Sequence, residues 1–265
     1  MLSAPQNSPY DWNFRVFGFD VRVAWGFWIV AALLGWNWSQ GRDYIAQVLG
    51  IESPGAPLLL VVWIAALLLS ILVHELGHTF AFRYYGIRSN IVLYHFGGLA
   101  IPSSFGAWDG ARQRRLGAQE TLIISAAGPA AQLGLAAVTW VIGLVAGVPM
   151  ELTEQLNWLF GLDLPMGQYG NNILRYAAFD AVLWPSTWWA ILNLAPILPL
   201  DGGQITRSLL QMNNVMDASR VAHMISVGAA GVIGLYFLQQ GQPFAGLMFL
   251  SFAASNFQAM NSGYG

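Results

Sequence analysis

Two histidines and a glutamate stand close together near the end of a long apolar run. The segment LLLSILVHELGHTFAFRYYG, residues 67–86, contains His74, Glu75 and His78. On a helix, residues four apart share one face, so both imidazoles can bind one zinc ion while the glutamate between them reaches the bound water. Ionisable groups are costly at membrane depth and persist mainly where they have a function. We therefore predict a catalytic metal site, and we disfavour the alternative of three structural polar residues.

The composition is that of a membrane protein. Of the 265 residues, 56% are hydrophobic and only 9% are charged, whereas a soluble domain has roughly one quarter charged residues. Cysteine is absent and all eleven basic residues are arginine, which excludes thiol nucleophiles, thiolate metal sites and Schiff-base lysines. The net charge of -2 does not indicate a basic surface that would bind nucleic acid. We therefore expect partners in the membrane, including lipid, and no nucleic acid.

Apolar stretches long enough to cross a bilayer recur along the chain. Each is near the ~20 residues that a spanning helix needs. Six spans would put both termini on one side, together with nine of the eleven arginines, so the positive-inside rule predicts cytoplasmic termini in the cell's inner membrane. At 1.5 Å per residue, His74 lies roughly 25 Å beyond Pro57, in the cytoplasmic leaflet. The six stretches are about 23–39, 57–82, 119–147, 177–198, 221–239 and 243–260.

Two connections have the composition of strands. IRSNIVLYHFGGLAI, residues 87–101, predicts a strand, a turn and a strand, and FRVFGFDVRVAW, residues 14–25, alternates in a similar way. Extended backbone near a membrane needs hydrogen-bond partners, so we expect these segments to pair into a small sheet. An exposed edge near residues 95–100 could hold an extended peptide by strand addition. Between residues 148 and 175 we expect a short amphipathic helix at the interface.

Catalytic zinc usually has three protein ligands and one open position, so a third ligand must come from outside the histidine motif. Asp180 begins the fourth span at its outer side, up to ~30 Å from Asp201 along a helix, and is disfavoured. Asp201 follows two prolines that interrupt the helix and precedes two glycines that permit close backbone approach. The alternative is that Asp201 only caps the next helix. The candidates are His95, Asp109, Glu120, Asp180, Asp201 and His223.

HELGH together with N-x-x-P-x-x-P-x-D-G-G, from Asn193 to Gly203, resembles the site-2 proteases, which are intramembrane zinc metalloproteases. The opening extended segment, HFGG at 95–98 and SAAGPAAQ at 125–132 extend the resemblance over about residues 14–210. It implies an all-α polytopic membrane protein of about six transmembrane helices, with a small membrane-associated β-sheet and a three-helix catalytic core.

The resemblance also implies roles for individual residues. His74, His78 and Asp201 would bind one Zn²⁺, Glu75 would act as the catalytic acid and base, and Asn193 would stabilise the oxyanion. The loop that contains His95, Gly97 and Gly98 would bind substrate. Two positions depart from the family pattern: His95 stands where proline is frequent, and Gln132 stands where asparagine is frequent.

We expect one membrane-embedded domain over residues 1–265, without a PDZ-like or CBS-like module. It would comprise the opening segment and first span at 11–40, the catalytic core at about 57–210 and two C-terminal spans within 221–260. Substrates would be single-span membrane proteins that are cut near their cytoplasmic edge, as in regulated intramembrane proteolysis. The sequence leaves the oligomeric state open.

Two other functions use the same residue types. A membrane zinc peptidase of another kind would take a glutamate on a later helix as its third ligand, but Glu151 and Glu154 fall on the outer side of the predicted topology. A metal transporter or metal-binding membrane protein would bind the ion without hydrolysis. Transport would call for polar residues that continue toward the outer surface, whereas the segment before His74 is almost purely apolar.

Overall fold

The computed structural model describes residues 6–94, 97–102 and 116–262. The chain divides into two compact units, each with its own packing. The first, called here the histidine unit, contains residues 2–105 and 130–190. The second, called the aspartate unit, contains residues 106–129 and 191–265.

The histidine unit contains a four-stranded sheet in the order β1-β2-β3-β4. β1 and β2 form an antiparallel hairpin whose turn residues, Phe17 and Gly18, both have positive φ, a requirement of the tight turns that match strand twist. β2 runs parallel to β3, and β3 is antiparallel to β4. The sheet predicted from the two extended segments is thus confirmed. Its strands are β1 Trp12–Val16, β2 Phe19–Val23, β3 Ser89–Tyr94 and β4 Gly97–Pro102.

Among the described residues, the histidine unit also contains five helices, of which α1 and α2 contact the sheet. Helix α3 enters the unit at Ala130, and a π-helical turn, Pro185–Trp189, continues α5. The predicted short helix between residues 148 and 175 is present as α4, and its Trp158 side chain is 85% exposed. The helices are α1 Trp25–Leu49, α2 Ala56–Tyr84, α3 Ala118–Val145, α4 Glu151–Phe160 and α5 Leu174–Trp184.

Apolar side chains of the sheet pack against the first two helices. Val21 and Leu93 from the sheet lie in one buried cluster with Phe27 of α1 and Ile71 of α2. This packing holds the C-terminal half of α2, where the histidine motif lies, against β2 and β3. The sheet therefore serves as the platform for the motif.

A buried ion-pair cluster joins α1, α4 and α5. The Arg42 guanidinium lies 2.6 Å from the Asp180 carboxylate and 2.7 Å from that of Glu151. Trp38 Nε1 donates to Asp180 at 2.9 Å, and Tyr176 presents its ring to Arg42. The two carboxylates compensate for the burial of the arginine.

The aspartate unit is built on an antiparallel pair of long helices. Ile197, Ala230 and Phe249 form its buried centre. Gly234 and Gly246 let the two long helices approach closely, because a β-carbon on either would press on the facing helix. The helices are α6 Ala190–Asn193, which begins at the end of the histidine unit, α7 Asp201–Met212, α8 Ala218–Gln239 and α9 Pro243–Ser262.

Within the described residues, three helices are long and apolar enough to cross a membrane, namely α2, α3 and α8. They correspond to the second, third and fifth predicted spans. Helices also occupy the other three predicted stretches, but Pro185 interrupts the fourth with its π-helical turn, since proline lacks the N–H that helix continuation needs. The total of six spans stays a prediction.

Candidate metal centre

His74, Glu75 and His78 lie on α2 and are all buried, with 5%, 4% and 8% of their surfaces exposed. One ligand atom from each lies within 4.8 Å of the others, so among the described residues this group could hold a metal ion. The two imidazole rings meet edge to face with their Nε2 atoms 3.1 Å apart. The i, i+4 spacing on one helix produces this geometry directly.

Gln132 of α3 fixes the orientation of His74. Its Nε2 donates to Ser70 Oγ at 2.9 Å and to the Pro185 carbonyl at 3.4 Å, which turns the amide oxygen toward His74. His74 Nδ1 lies 2.9 Å from that oxygen and therefore carries the proton it donates. The lone pair of His74 is then on Nε2, which points at His78. This is the usual arrangement for a histidine that binds metal through Nε2.

The π-helical turn completes this buried network. Pro185 supplies the carbonyl that Gln132 binds, and Ser186 Oγ donates to Ser70 Oγ at 2.9 Å. Ser70 is one turn before His74 on the same face of α2. The sequence reasoning missed Ser70, Pro185 and Ser186. A polar residue four positions before His74 in an apolar run is the signal that could have identified Ser70.

The backbone of β4 passes directly against Glu75. A β-carbon at Gly98 would overlap the Glu75 side chain, so any larger residue there would displace the carboxylate of Glu75. Gly97 has φ +123°, a conformation that L side chains rarely adopt, and its α-carbon region faces Trp189 of the π-helical turn. Among the described residues β4 pairs with β3 alone, which makes it an edge strand. Gly98 therefore lies against Glu75, whereas Gly97 lies beside Trp189.

Tyr94, at the end of β3, interacts electrostatically with the carboxylate of Glu75. Burial raises the pKa of the Tyr94 hydroxyl, and the negative charge of Glu75 raises it further. Tyr94 therefore stays protonated near neutral pH. Sequence reasoning did not single it out.

Several of the candidate third ligands are engaged elsewhere. Asp180 binds Arg42 and Trp38, and Glu120 accepts a hydrogen bond from the backbone N–H of Gly117 at the start of α3. His223 Nδ1 lies 2.8 Å from Asn256 Oδ1. His95 and Asp109 lie outside the described residues.

Asp201 is the first residue of α7 in the aspartate unit and is half-buried. The N-cap position belongs to Leu200, so Asp201 does not occupy the cap that the structural alternative required. A β-carbon at Gly202 would overlap the carbonyl oxygens of Leu194 and Ala195, and one at Gly203 would overlap Leu198. The predicted close approach of backbone at these glycines is present. Asn193 ends α6 and is half-buried.

Comparison with known proteins identifies the family to which this chain belongs. Residues 62–235 match the model of Peptidase family M50, and this range contains both the histidine motif and Asp201. The chain belongs to peptidase family M50. The resemblance to site-2 proteases is thereby confirmed, and so is the prediction of a membrane metalloprotease family.

The individual relatives share only about a quarter of their aligned residues with this chain. A provisionally named zinc metalloprotease of Synechocystis sp. is 26% identical over 241 residues, which is 84% of this chain and 54% of that protein. A provisionally named zinc metalloprotease, Rip3, of Mycobacterium tuberculosis is 27% identical over 206 residues, which is 74% of this chain and 42% of that one. The chain thus spans about half the length of the curated relatives it matches.

Among solved structures, the M50 chain resembles a site-2 protease from Methanocaldococcus jannaschii. The two share 18% sequence identity with a TM-score of 0.49, and 95% of each chain is covered.

Proposed function

We propose that this M50 protein is a zinc-dependent intramembrane metalloendopeptidase that hydrolyses peptide bonds in or near the transmembrane segment of single-span membrane proteins. The observation that carries the proposal is the buried pair of imidazole Nε2 atoms 3.1 Å apart, with Glu75 beside them, on a helix able to cross a membrane. Burial of three such groups is costly unless they have a function.

The donor chemistry of the site fits one zinc ion. His74 and His78 would supply neutral Nε2 atoms, and the tautomer that Gln132 imposes on His74 puts the lone pair of that ring on Nε2. Asp201 would supply the third ligand, which agrees with the usual catalytic set of three protein ligands. A bound zinc ion supplies a Lewis acid, which lowers the pKa of water and polarises the scissile carbonyl.

Glu75 performs the proton transfers of hydrolysis in this proposal. Its carboxylate accepts a proton as water attacks the scissile carbonyl carbon, and it then donates that proton to the leaving amine. Its burial and the backbone of β4 restrict the positions that the carboxylate can take. The Asn193 side-chain amide would donate to the oxygen that becomes negatively charged, which is the role of an oxyanion-hole donor.

The substrate would bind as an extended strand. A helical substrate keeps its carbonyls in its own hydrogen bonds and must unwind before attack. β4 has a free edge within the described part of the sheet and lies against Glu75, so a peptide added to this edge would lie next to the acid and base. We propose on this basis that Gly97 and Gly98 contact the substrate, while a substrate contact by His95 rests on the sequence motif alone.

The membrane arrangement is proposed from charge and length. Six spans in a single domain would put both termini in the cytoplasm and the metal centre in the cytoplasmic leaflet of the inner membrane. Water would then reach the site by a short route from the cytoplasm.

Cleavage of a panel of single-span substrates by the purified protein tests the function. The wild-type protein should cleave at least one substrate, a chelator should stop cleavage and added Zn²⁺ should restore it. Glu75→Gln should keep bound zinc, measured by metal analysis, and lose turnover, because the ligands remain while the base is gone. An exposed control, Gln119→Leu on α3, should cleave normally.

The same variants distinguish the transporter alternative. A transporter needs the ligands but not the base, so Glu75→Gln would lose little metal flux into vesicles. Metal flux that survives Glu75→Gln, together with no cleavage by the wild-type protein, would overturn the protease proposal.

A further inference from the structure

Both backbone groups of Leu198 are held by side chains of the long C-terminal helices. The Leu198 N–H donates to Ser226 Oγ of α8 at 2.9 Å, and the Leu198 carbonyl accepts from Asn256 Nδ2 of α9 at 2.6 Å. Asn256 is 4% exposed and Ser226 is fully buried. Buried backbone groups outside regular structure need such partners, and here two different helices provide them.

Each holding side chain is itself oriented. His223 of α8 donates from Nδ1 to Asn256 Oδ1 at 2.8 Å, which directs the amide nitrogen of Asn256 toward Leu198. The Ser226 hydroxyl lies 2.8 Å from the carbonyl of Ala222 and 3.4 Å from that of Pro196. Donation of its proton to either carbonyl leaves a lone pair on Oγ for the Leu198 N–H.

The chain between Leu198 and Asp201 transmits this constraint. Pro199 has a restricted φ, and the Leu200 N–H donates to the Ile197 carbonyl at 2.7 Å. Helix α7 begins directly after Leu200, and Gly202 and Gly203 pack onto the backbone of residues 194–198. Fixing Leu198 therefore fixes the start of α7, where Asp201 lies.

We propose that Asn256 and Ser226 are positioning residues for Asp201, and that the α8–α9 pair is part of the catalytic apparatus through them. This inference rests on the proposed function, in which Asp201 is a metal ligand. Neither residue touches the metal or the substrate in this proposal. Both act by holding the Leu198 peptide, so that the Asp201 carboxylate is presented in one orientation.

Replacement of Asn256 or Ser226 should change the affinity of the site for Zn²⁺. Residues that orient metal ligands typically contribute 10–100-fold in metal affinity. Asn256→Leu keeps the size of the side chain but removes the donor to the Leu198 carbonyl, and Ser226→Ala removes the acceptor for the Leu198 N–H. We expect each variant to weaken Zn²⁺ binding by about 10–100-fold, measured by competition with a chromophoric chelator.

Matched controls lie on α9, the helix that carries Asn256. Ser251 and Ser255 of α9 are exposed and their hydroxyls donate only to carbonyls within that helix among the described residues. Ser251→Ala and Ser255→Ala should leave Zn²⁺ affinity unchanged. His223→Ala is a milder variant that frees the Asn256 amide to rotate without removing it, and it should weaken binding less than Asn256→Leu.

A double-variant cycle separates positioning of Asp201 from a general structural role. Asp201→Asn should weaken Zn²⁺ binding by itself. If Asn256 acts through Asp201, then adding Asn256→Leu to Asp201→Asn should weaken binding no further. A general loss of folding would instead lower affinity equally in both backgrounds.

The outcomes are distinguishable. If Asp201→Asn binds Zn²⁺ like the wild-type protein, the ligand set of the proposed function is wrong. If Asp201→Asn weakens binding but Asn256→Leu, Ser226→Ala and His223→Ala do not, or if their effects add fully to that of Asp201→Asn, the positioning inference is overturned while the ligand set stands.

Discussion

The amide oxygen of Gln132 lies 2.9 Å from Nδ1 of His74, and the Gln132 side chain is fully buried. The bond joins α3 to the helix that carries the metal motif. It also decides which nitrogen of His74 has the lone pair. The family's frequent asparagine at this position is replaced here by a side chain one methylene longer, which reaches His74, Ser70 and the Pro185 carbonyl together.

Replacement of Gln132 should therefore weaken the metal site without removing a ligand. Gln132→Leu has a similar volume but no acceptor for the Nδ1 proton, and we expect Zn²⁺ affinity to fall by about 10–100-fold. Equilibrium competition with a chelator measures the change. The matched control, Gln119→Leu, makes the same chemical change at an exposed position of α3. Equal affinities for the two variants would contradict a role for the Gln132–His74 bond.

A side chain at Gly98 should displace the carboxylate of Glu75. Gly98→Ala would push its β-carbon into Glu75, and displacement of a catalytic group by about 1 Å can cost 10²-fold in rate. We expect kcat to fall by roughly that factor while Zn²⁺ affinity is retained, because the ligands are not displaced. Peptide cleavage and metal titration measure the two quantities. Gly134→Ala is the control, since no neighbouring atom lies within 4 Å of the position its β-carbon would take. A normal kcat in Gly98→Ala would refute the predicted clash with Glu75.

The Arg42 cluster should be a major contributor to the stability of the histidine unit. Arg42→Met leaves the buried carboxylate of Asp180 uncompensated, and loss of one partner of a buried pair costs about 3–5 kcal/mol. Denaturant unfolding in detergent measures this free energy. Arg15→Met breaks an exposed pair with Asp20 and should cost less than about 1 kcal/mol. Similar losses in the two variants would show that burial does not determine the effect.

Gly202 should be required for the turn into α7. Gly202→Ala would drive a β-carbon into the carbonyls of Leu194 and Ala195, so the start of α7 must shift. In the proposed function this shift moves Asp201, and Zn²⁺ affinity should fall. Gly228→Ala on α8, with open space around it, is the matched control. A Gly202→Ala variant that binds Zn²⁺ as tightly as Gly228→Ala would contradict the prediction.

The sequence was most informative where the chemistry is local. The pairing of His74 with His78 follows from one helical turn, and three of the spans follow from the length of apolar runs. Strand composition predicted both strands within residues 87–101 and the extended character of residues 14–25, but not the turn at Phe17 and Gly18 that divides the latter into β1 and β2. The double glycine predicted close backbone approach. The third metal ligand stays a prediction from the sequence motif.

Tertiary structure decided which distant side chains support the motif. Gln132 meets His74 across 58 positions and Asp180 meets Arg42 across 138, and no periodicity within a segment encodes such pairs. The placement of Gly98 against Glu75 depends on the parallel pairing of β2 with β3, which sets where β4 lies. Local backbone preferences determine helices, strands and turns, whereas the packing of whole elements determines which of their side chains meet.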